Sequence, residues 1–333
     1  MRLLLAIAML LTGVAAAARA NDPLTLQLKW LPQAQFAGYY VAAAKGYYKV
    51  VGLDVTIKPG GPDITPARVI AGGGTDVIVD WLPSALAARE KGVPLVNIAQ
   101  VFLRSGLELT CRKDSGIRRP ADFRGKTLGV WFAGNEYPFL AWMSRLGLKT
   151  DGSPNGVRVL RQGDNVDPLL KREAACISTM SYNEYWQVIE AGIRPAQLVV
   201  FKYEDEGVAT LEDGLYTTEA KLADPAMVSR LVRFLKASMQ GWRYAIGHQH
   251  EAVKIVLAAD TGHQLNEAHQ LRMMAAVAQL VGSDPRGMGY LHMEAYNRTV
   301  RELLSGGPDP VITRQPLGAW THAVWDKAFA GAH

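Results

Sequence analysis

The residues able to do binding chemistry recur in short clusters. Trp30-Leu31-Pro32-Gln33-Ala34-Gln35 follows one alternating apolar run, Gly60-Gly61-Pro62-Asp63 follows a second, and Asp80, Trp81 and Ser84 follow a third. Further along stand Gly134-Asn135-Glu136-Tyr137, Tyr182-Asn183-Glu184-Tyr185-Trp186 and the acid pair Glu212-Asp213. Each stacked ring adds about 0.5–1.5 kcal/mol beyond area burial. Carboxylates such as Asp80, Glu136 and Glu184 accept hydrogen bonds from ring N–H or amino groups, while Gln35, Asn135 and Asn183 both donate and accept. The set suits a flat amino-substituted heterocycle held between Trp30 and Trp81 on one side and Tyr137 or Tyr182 on the other. A sulfonate or nitrate site would instead want Arg, Ser or bare helix N-termini. Each position also has a structural reading: Trp30 and Trp186 as core, and Asp63, Asp80, Asn135 and Glu136 as caps or first-turn acids that a helix dipole favours by itself.

Other chemistries find less support. No Ser-His-Asp or Cys-His set emerges, so the chain is expected to be a non-enzyme without cofactor or metal. Asp80 and Glu136 as acid and base are the only support for an enzyme. Gly72-Gly73-Gly74 lacks the Lys-Ser/Thr that completes a phosphate loop and reads as a helix stop. All seven histidines fall at 248 and beyond, away from the clusters, and read as solvated surface, with His248 and His250 as the one conceivable metal pair. Cys111 and Cys176 are the only cysteines, too few for a zinc ribbon or an iron–sulfur site. They form either a disulfide or two buried thiols.

The elements that must position these residues alternate. Strands are expected over 25–28, 53–57, 76–80 and 93–101, with helices over 37–48, 63–74 and 84–91 between them. The rhythm restarts with strands at 107–112, 127–131, 157–160, 174–180, 197–202 and 215–218, and helices at 137–146 and 182–190. Such alternation implies βαβ units and mainly parallel strands. From about 224 onward the pattern is helical. Two α/β lobes therefore follow, the chain crossing between them near 108 and near 210. In open α/β sheets ligands sit outside the carboxyl ends of the strands, which is where the clusters lie.

Composition bounds the rest. The chain has 333 residues, 49% hydrophobic and 20% charged, with a net charge of +5. Removing Arg2 and Arg19 leaves 34 basic against 31 acidic residues, and no basic block for nucleic acid appears. Residues 1–20 show a positive start, a short uncharged apolar run and Ala18-Arg19-Ala20, the pattern of a secretory signal peptide cleaved after Ala20. No later stretch reaches about 18 uninterrupted apolar residues. The mature chain is expected to be exported, without membrane insertion, and monomeric.

The stretch Ala37-Gly38-Tyr39-Tyr40-Val41-Ala42-Ala43-Ala44-Lys45-Gly46-Tyr47-Tyr48, then Gly52-Leu53-Asp54-Val55, resembles the first helix and second strand of type II periplasmic solute-binding proteins, in the nitrate/sulfonate/taurine and thiamine-pyrimidine subgroup. Gly60-Gly61-Pro62-Asp63 and Asp122-Phe123-Arg124-Gly125-Lys126-Thr127 agree with it in order and spacing. The segment from Trp30 to Tyr40 is similar to the W-x-P-N-x-x-H-x-G-x-Y segment of pyrimidine-precursor binders and of fungal thiamine-pyrimidine synthases. Phe36 replaces that pattern's His, and the synthases' cysteine-rich iron-binding motif is absent. The resemblance implies two mixed sheets with flanking helices and a helical C-terminal tail. One lobe would comprise 21–108 with 212–333, and the other 109–211. It also implies a binding protein that delivers a pyrimidine-type solute to an inner-membrane ABC permease from the periplasm. The expected ligand set is Trp30, Gln35, Tyr39, Asp63, Asp80, Trp81, Ser84, Asn135, Glu136, Tyr137, Tyr182, Asn183, Glu184 and Glu212. A binder of sulfonate, taurine or nitrate and a synthase-like enzyme are the alternatives.

Overall fold

The structure is a computed structural model that describes residues 20–282, 284–305 and 310–330. The expected signal peptide, apart from Ala20, lies outside the described residues. Among the described residues ten strands form two five-stranded sheets. The first contains β1 (Asp22–Gln27), β2 (Leu53–Lys58), β3 (Val77–Asp80), β4 (Leu95–Gln100) and β10 (Gly214–Thr218) in the order β2-β1-β3-β10-β4. The second contains β5 (Leu107–Arg112), β6 (Thr127–Val130), β7 (Arg158–Arg161), β8 (Cys176–Met180) and β9 (Leu198–Lys202) in the order β7-β6-β8-β5-β9.

Pairing is mixed in both sheets. β1 runs parallel to β2 and β3, whereas β10 is antiparallel to β3 and β4. In the second sheet β6 runs parallel to β7 and β8, and β5 is antiparallel to β8 and β9. The antiparallel members are the strands that arrive from the other lobe. The chain crosses over 101–106 and returns over 203–213. A strand entering from outside a βαβ series carries no crossover helix to reverse it, so it runs against its neighbours.

β4 is an edge strand, yet all six of its residues are buried. The tail covers it through isolated bridges from Asn97 to Trp320 and from Gln100 to Gly289, which removes a row of open backbone groups. The tail is built on the helix Pro225–Gly247, opened by Pro225 and by an Asp224 side chain that accepts from the Ala226 N–H. This helix crosses Ala37–Ala44 at a point where a Cβ on Gly38 would run into the Trp242 ring and one on Gly241 into the Gly38 carbonyl. Glycine at both positions sets the closeness of that crossing.

Cys111 and Cys176 are direct cross-strand partners on β5 and β8 and form a disulfide. The lobes also meet on the side of Tyr137–Arg145, which packs on Leu82–Glu90 and Met293–Leu304 and carries the Arg145–Glu302 ion pair at 3.3 Å. Among the described residues no helix is long and apolar enough to cross a membrane.

Candidate ligand-binding site

The parallel strands β1, β3, β6 and β8 end at the cleft between the sheets. Their ends deliver Lys29 and Trp30 after β1, Trp81 after β3, Trp131 after β6, and Met180 with Tyr182 at the end of β8. Together with Gln33, Gln35, Asn135 and Glu184 these residues line a narrow slot that, with the lobes as they stand, has a free interior of about 20 Å³. The aromatic walls come from both lobes. Trp30 meets Trp131 edge-on across the cleft with ring centroids 5.8 Å apart. The Lys29 ammonium lies 5.5 Å from the centroid of the Trp81 ring.

Polar groups hold these walls. The Lys29 ammonium pairs with Asp80 at 2.5 Å, both side chains almost fully buried. The Asp80 carboxylate also accepts from the Trp81 N–H at 2.8 Å and from the Ser84 hydroxyl at 3.1 Å. Asp213 accepts from the Trp81 indole N–H at 2.9 Å and from Gln35 Nε2 at 2.7 Å. Its backbone has φ +32°, a conformation a non-glycine residue adopts only when its surroundings over-determine it. Burial pushes the Asp213 carboxyl up to about 6, opposed by its two N–H donors and by Lys29. Glu184 accepts from the Met180 N–H at 2.9 Å and from Asn183 Nδ2 at 2.7 Å. Burial raises its carboxyl to about 7 against those bonds.

Six of the expected residues therefore gather in the slot: Trp30, Gln35, Trp81, Asn135, Tyr182 and Glu184. Four others, Asp63, Ser84, Glu136 and Tyr137, line a second and larger chamber of about 470 Å³ at the cleft mouth, with Arg68, Lys91, Phe132 and Arg161. There Arg161 pairs with Asp63 across the lobes at 2.7 Å, and the Lys91 ammonium donates to the Tyr137 hydroxyl at 3.2 Å. Tyr137 thus does not face Trp30 and Trp81 as the sequence suggested. The helix it opens points its first turn at the mouth instead.

The remaining expectations need correction. Tyr39 is buried edge-on against Trp242, because its helix turns that face toward Pro225–Gly247 rather than the cleft. Asp80 is neither in the slot nor a helix cap: its oxygens serve Lys29, the Trp81 N–H and Ser84, all within its own lobe, and the cap position of the following helix is Trp81. Glu212 binds the crossing segments, not the slot. Its carboxylate accepts from the Ser105 hydroxyl, the Gly106 N–H and the Leu107 N–H, tying the two crossing segments together, and burial raises it to about 8. Asn183 stands behind the slot, donating to Gln33 Oε1 at 3.3 Å.

Trp131 and Met180 were missed because each lies inside an expected strand, and Lys29 because it falls between the expected strand 25–28 and the cluster that begins at Trp30. Gln33 and Asp213 lay inside quoted clusters without being chosen. His269 was taken for surface, but it is only 8% exposed, and its Nε2 lies 2.9 Å from Asn183 Oδ1. The conceivable metal pair does not form a centre: His248 stacks on Tyr244, and among the described residues no group of three or more potential ligands could hold a metal ion.

The profile of the NMT1/THI5-like family matches residues 33–252. The chain belongs to the NMT1/THI5-like family. It is 27% identical over 249 residues to the formylaminopyrimidine-binding protein of Halalkalibacterium halodurans, covering 74% of this chain and 73% of that protein. It is 25% identical over 296 residues to the riboflavin-binding protein RibY of Chloroflexus aurantiacus, covering 85% and 80%. The fold matches that of the periplasmic nitrate-binding protein NrtA of Synechocystis, with TM-score 0.65 and 12% identity over 93% of this chain and 89% of that one. Both of these relatives are named as binding proteins, while the 4-amino-5-hydroxymethyl-2-methylpyrimidine phosphate synthase THI11 of Saccharomyces cerevisiae is 30% identical over 113 residues, covering 33% of this chain and 33% of that enzyme.

Proposed function

We propose that this chain is the substrate-binding component of an ABC importer and that it captures a small flat nitrogen heterocycle of the aminopyrimidine type. In this reading residues 1–20 export it to the periplasm, and the lobes 21–108 with 212–333 and 109–211 close on the ligand as a monomer. The closed form is then presented to an inner-membrane permease. The observation that carries the reading is the slot's composition: three tryptophans and a tyrosine around a buried carboxyl. Stacking supplies affinity for any flat ring. Glu184, near neutrality in its titration, matches an amidine edge, accepting from the exocyclic amino group and donating to a ring nitrogen when protonated. A sulfonate or nitrate finds little here. Lys29 is the slot's one cation, and it is already paired with Asp80.

Calorimetric titration of the mature chain with a formylaminopyrimidine, riboflavin, taurine and nitrate tests this. The expected result is one-to-one binding of the pyrimidine, with the compound recovered unchanged by mass spectrometry. Binding of taurine or nitrate alone overturns the ligand class, and turnover of the pyrimidine overturns the transport role. Riboflavin is the second reading. It is favoured by the mouth chamber that adjoins the slot and would house what a tricyclic ring leaves outside. Quenching of flavin fluorescence by the protein would identify it.

A further inference from the structure

Behind the slot runs a series of buried polar side chains whose orientations are mutually determined. Asp213, as a carboxylate, only accepts, so Gln35 must present Nε2 to it and leave Oε1 facing away. Gln33 donates Nε2 to that Oε1 at 2.6 Å, which leaves the Gln33 Oε1 to accept from Asn183 Nδ2 at 3.3 Å. Asn183 Nδ2 is fixed a second time by its bond to Glu184. Its Oδ1 therefore faces His269, whose Nε2 at 2.9 Å donates to it. The ring's Nδ1 lies 3.1 Å from the Glu190 carboxylate, which only accepts, so in this arrangement both ring nitrogens donate. Gln187 adds a second donor to Asn183 Oδ1 at 3.1 Å.

The series changes lobes three times. Gln33 and Gln35 follow β1 in the first lobe, Asn183 precedes the helix Glu184–Glu190 in the second, His269 belongs to the tail helix Glu267–Val281, and Glu190 lies in the second lobe again. The tail helix is anchored to the first lobe at the same loop, through Gln270 Oε1 accepting from the Ala34 N–H at 2.7 Å. All five members from Asp213 to His269 are buried. Separating the lobes takes the donor from the Gln33 carbonyl oxygen and the acceptor from His269 Nε2, and it removes one of the two partners at each end of Asn183, which keeps Glu184 and Gln187. A buried polar group that loses its partner is costly.

We propose that Asp213, Gln35, Gln33, Asn183 and His269 form a one-directional hydrogen-bond relay that fastens the lobes together, with Asp213 and His269 at its ends acting as positioning residues for the ligand slot. The proposal rests on the binding reading above. It assigns a role to two residues that do not line the slot. Asp213 orients Trp81 and Gln35, and His269 orients Asn183 and through it Glu184.

The test uses the mature full chain with paired spin labels on exposed positions of the two lobes, and formylaminopyrimidine as the probe. His269→Leu removes the donor, His269→Gln restores an N–H at similar reach, and Arg272→Ala removes the outer partner of Glu190 together with a guanidinium that lies over the Trp186 ring, while leaving His269 in place. Circular dichroism confirms folding of each. In the free protein, a short-distance population is expected in wild type, His269→Gln and Arg272→Ala, and it is expected to shrink in His269→Leu. Probe affinity should fall at least about tenfold in His269→Leu, mostly through faster release, and stay within about threefold in His269→Gln. A free wild type that is open throughout overturns the relay, as do Leu and Gln variants that behave alike. If the probe fails to bind wild type, the ligand reading falls, while the distance measurements still decide the relay.

Discussion

The slot and the mouth chamber are both lined from both lobes, and they differ in what surrounds their charges. Lys29 and Glu184 in the slot and Asp80 behind it are buried, and each carboxylate accepts two or three hydrogen bonds. At the mouth, Arg161 and Asp63 keep 58% and 82% of their side-chain surface exposed. Coulomb attraction across water is weak and screened by salt, whereas a desolvated group left without its partner carries a large penalty. In the proposed binding role the slot would supply selectivity and residence time, and the mouth would guide the lobes together at little energetic consequence.

Four experiments would break or sharpen that contrast. The largest effect is expected from Trp81→Ala, which removes a stacking wall and strands Asp213 Oδ1. Binding of the pyrimidine should weaken by on the order of 3 kcal/mol, read by calorimetry. A loss no larger than that of a mouth variant would erase the distinction between the regions.

Glu184 comes next. Its folded-state carboxyl is raised from the ordinary 4.5 to about 7, so the proton it holds stabilises the fold below about pH 4.5 and that contribution fades as the pH rises through about 7. The unfolding free energy of wild type relative to Glu184→Gln should accordingly decrease across that window, by on the order of 1–3 kcal/mol. Glu108, raised to about 7, and Asp213 and Glu212 titrate in the same direction, so the comparison must be made against the Gln variant. A difference that is flat with pH would show that Glu184 is solvated.

Trp30→Ala should weaken binding by about 1 kcal/mol, since Trp131 still closes that end of the slot. The smallest effect belongs to Arg161→Gln. Affinity should change by less than about 1 kcal/mol, and the change should vanish at high salt. A large, salt-independent loss there would make the mouth part of the binding site proper.

Much of this arrangement was legible in the residues. Trp30, Trp81 and Tyr182 stood out because strands end before them, and ends of parallel strands are where such folds bind. Trp131 and Met180 gave no such signal, since an apolar residue at a strand end is indistinguishable from one inside the strand. The adjacent acids Glu212 and Asp213 look alike in the chain. The turn at φ +32° sends one carboxylate to the backbone of the crossing segment and the other to Trp81.

Local pattern thus determined the elements. The period of apolar residues, the caps and the glycine stops are short-range properties, and they placed all ten strands close to where they lie. The amino-acid types likewise determined the chemistry on offer, aromatic and carboxyl rather than cationic. Only the tertiary structure decided which of those groups meet. Whether Tyr39 faces a ligand or Trp242, and whether His269 meets water or Asn183, depends on how helices far apart in sequence are rotated against one another. That rotation is set by packing contacts such as Gly38 against Trp242, which no window along the chain contains.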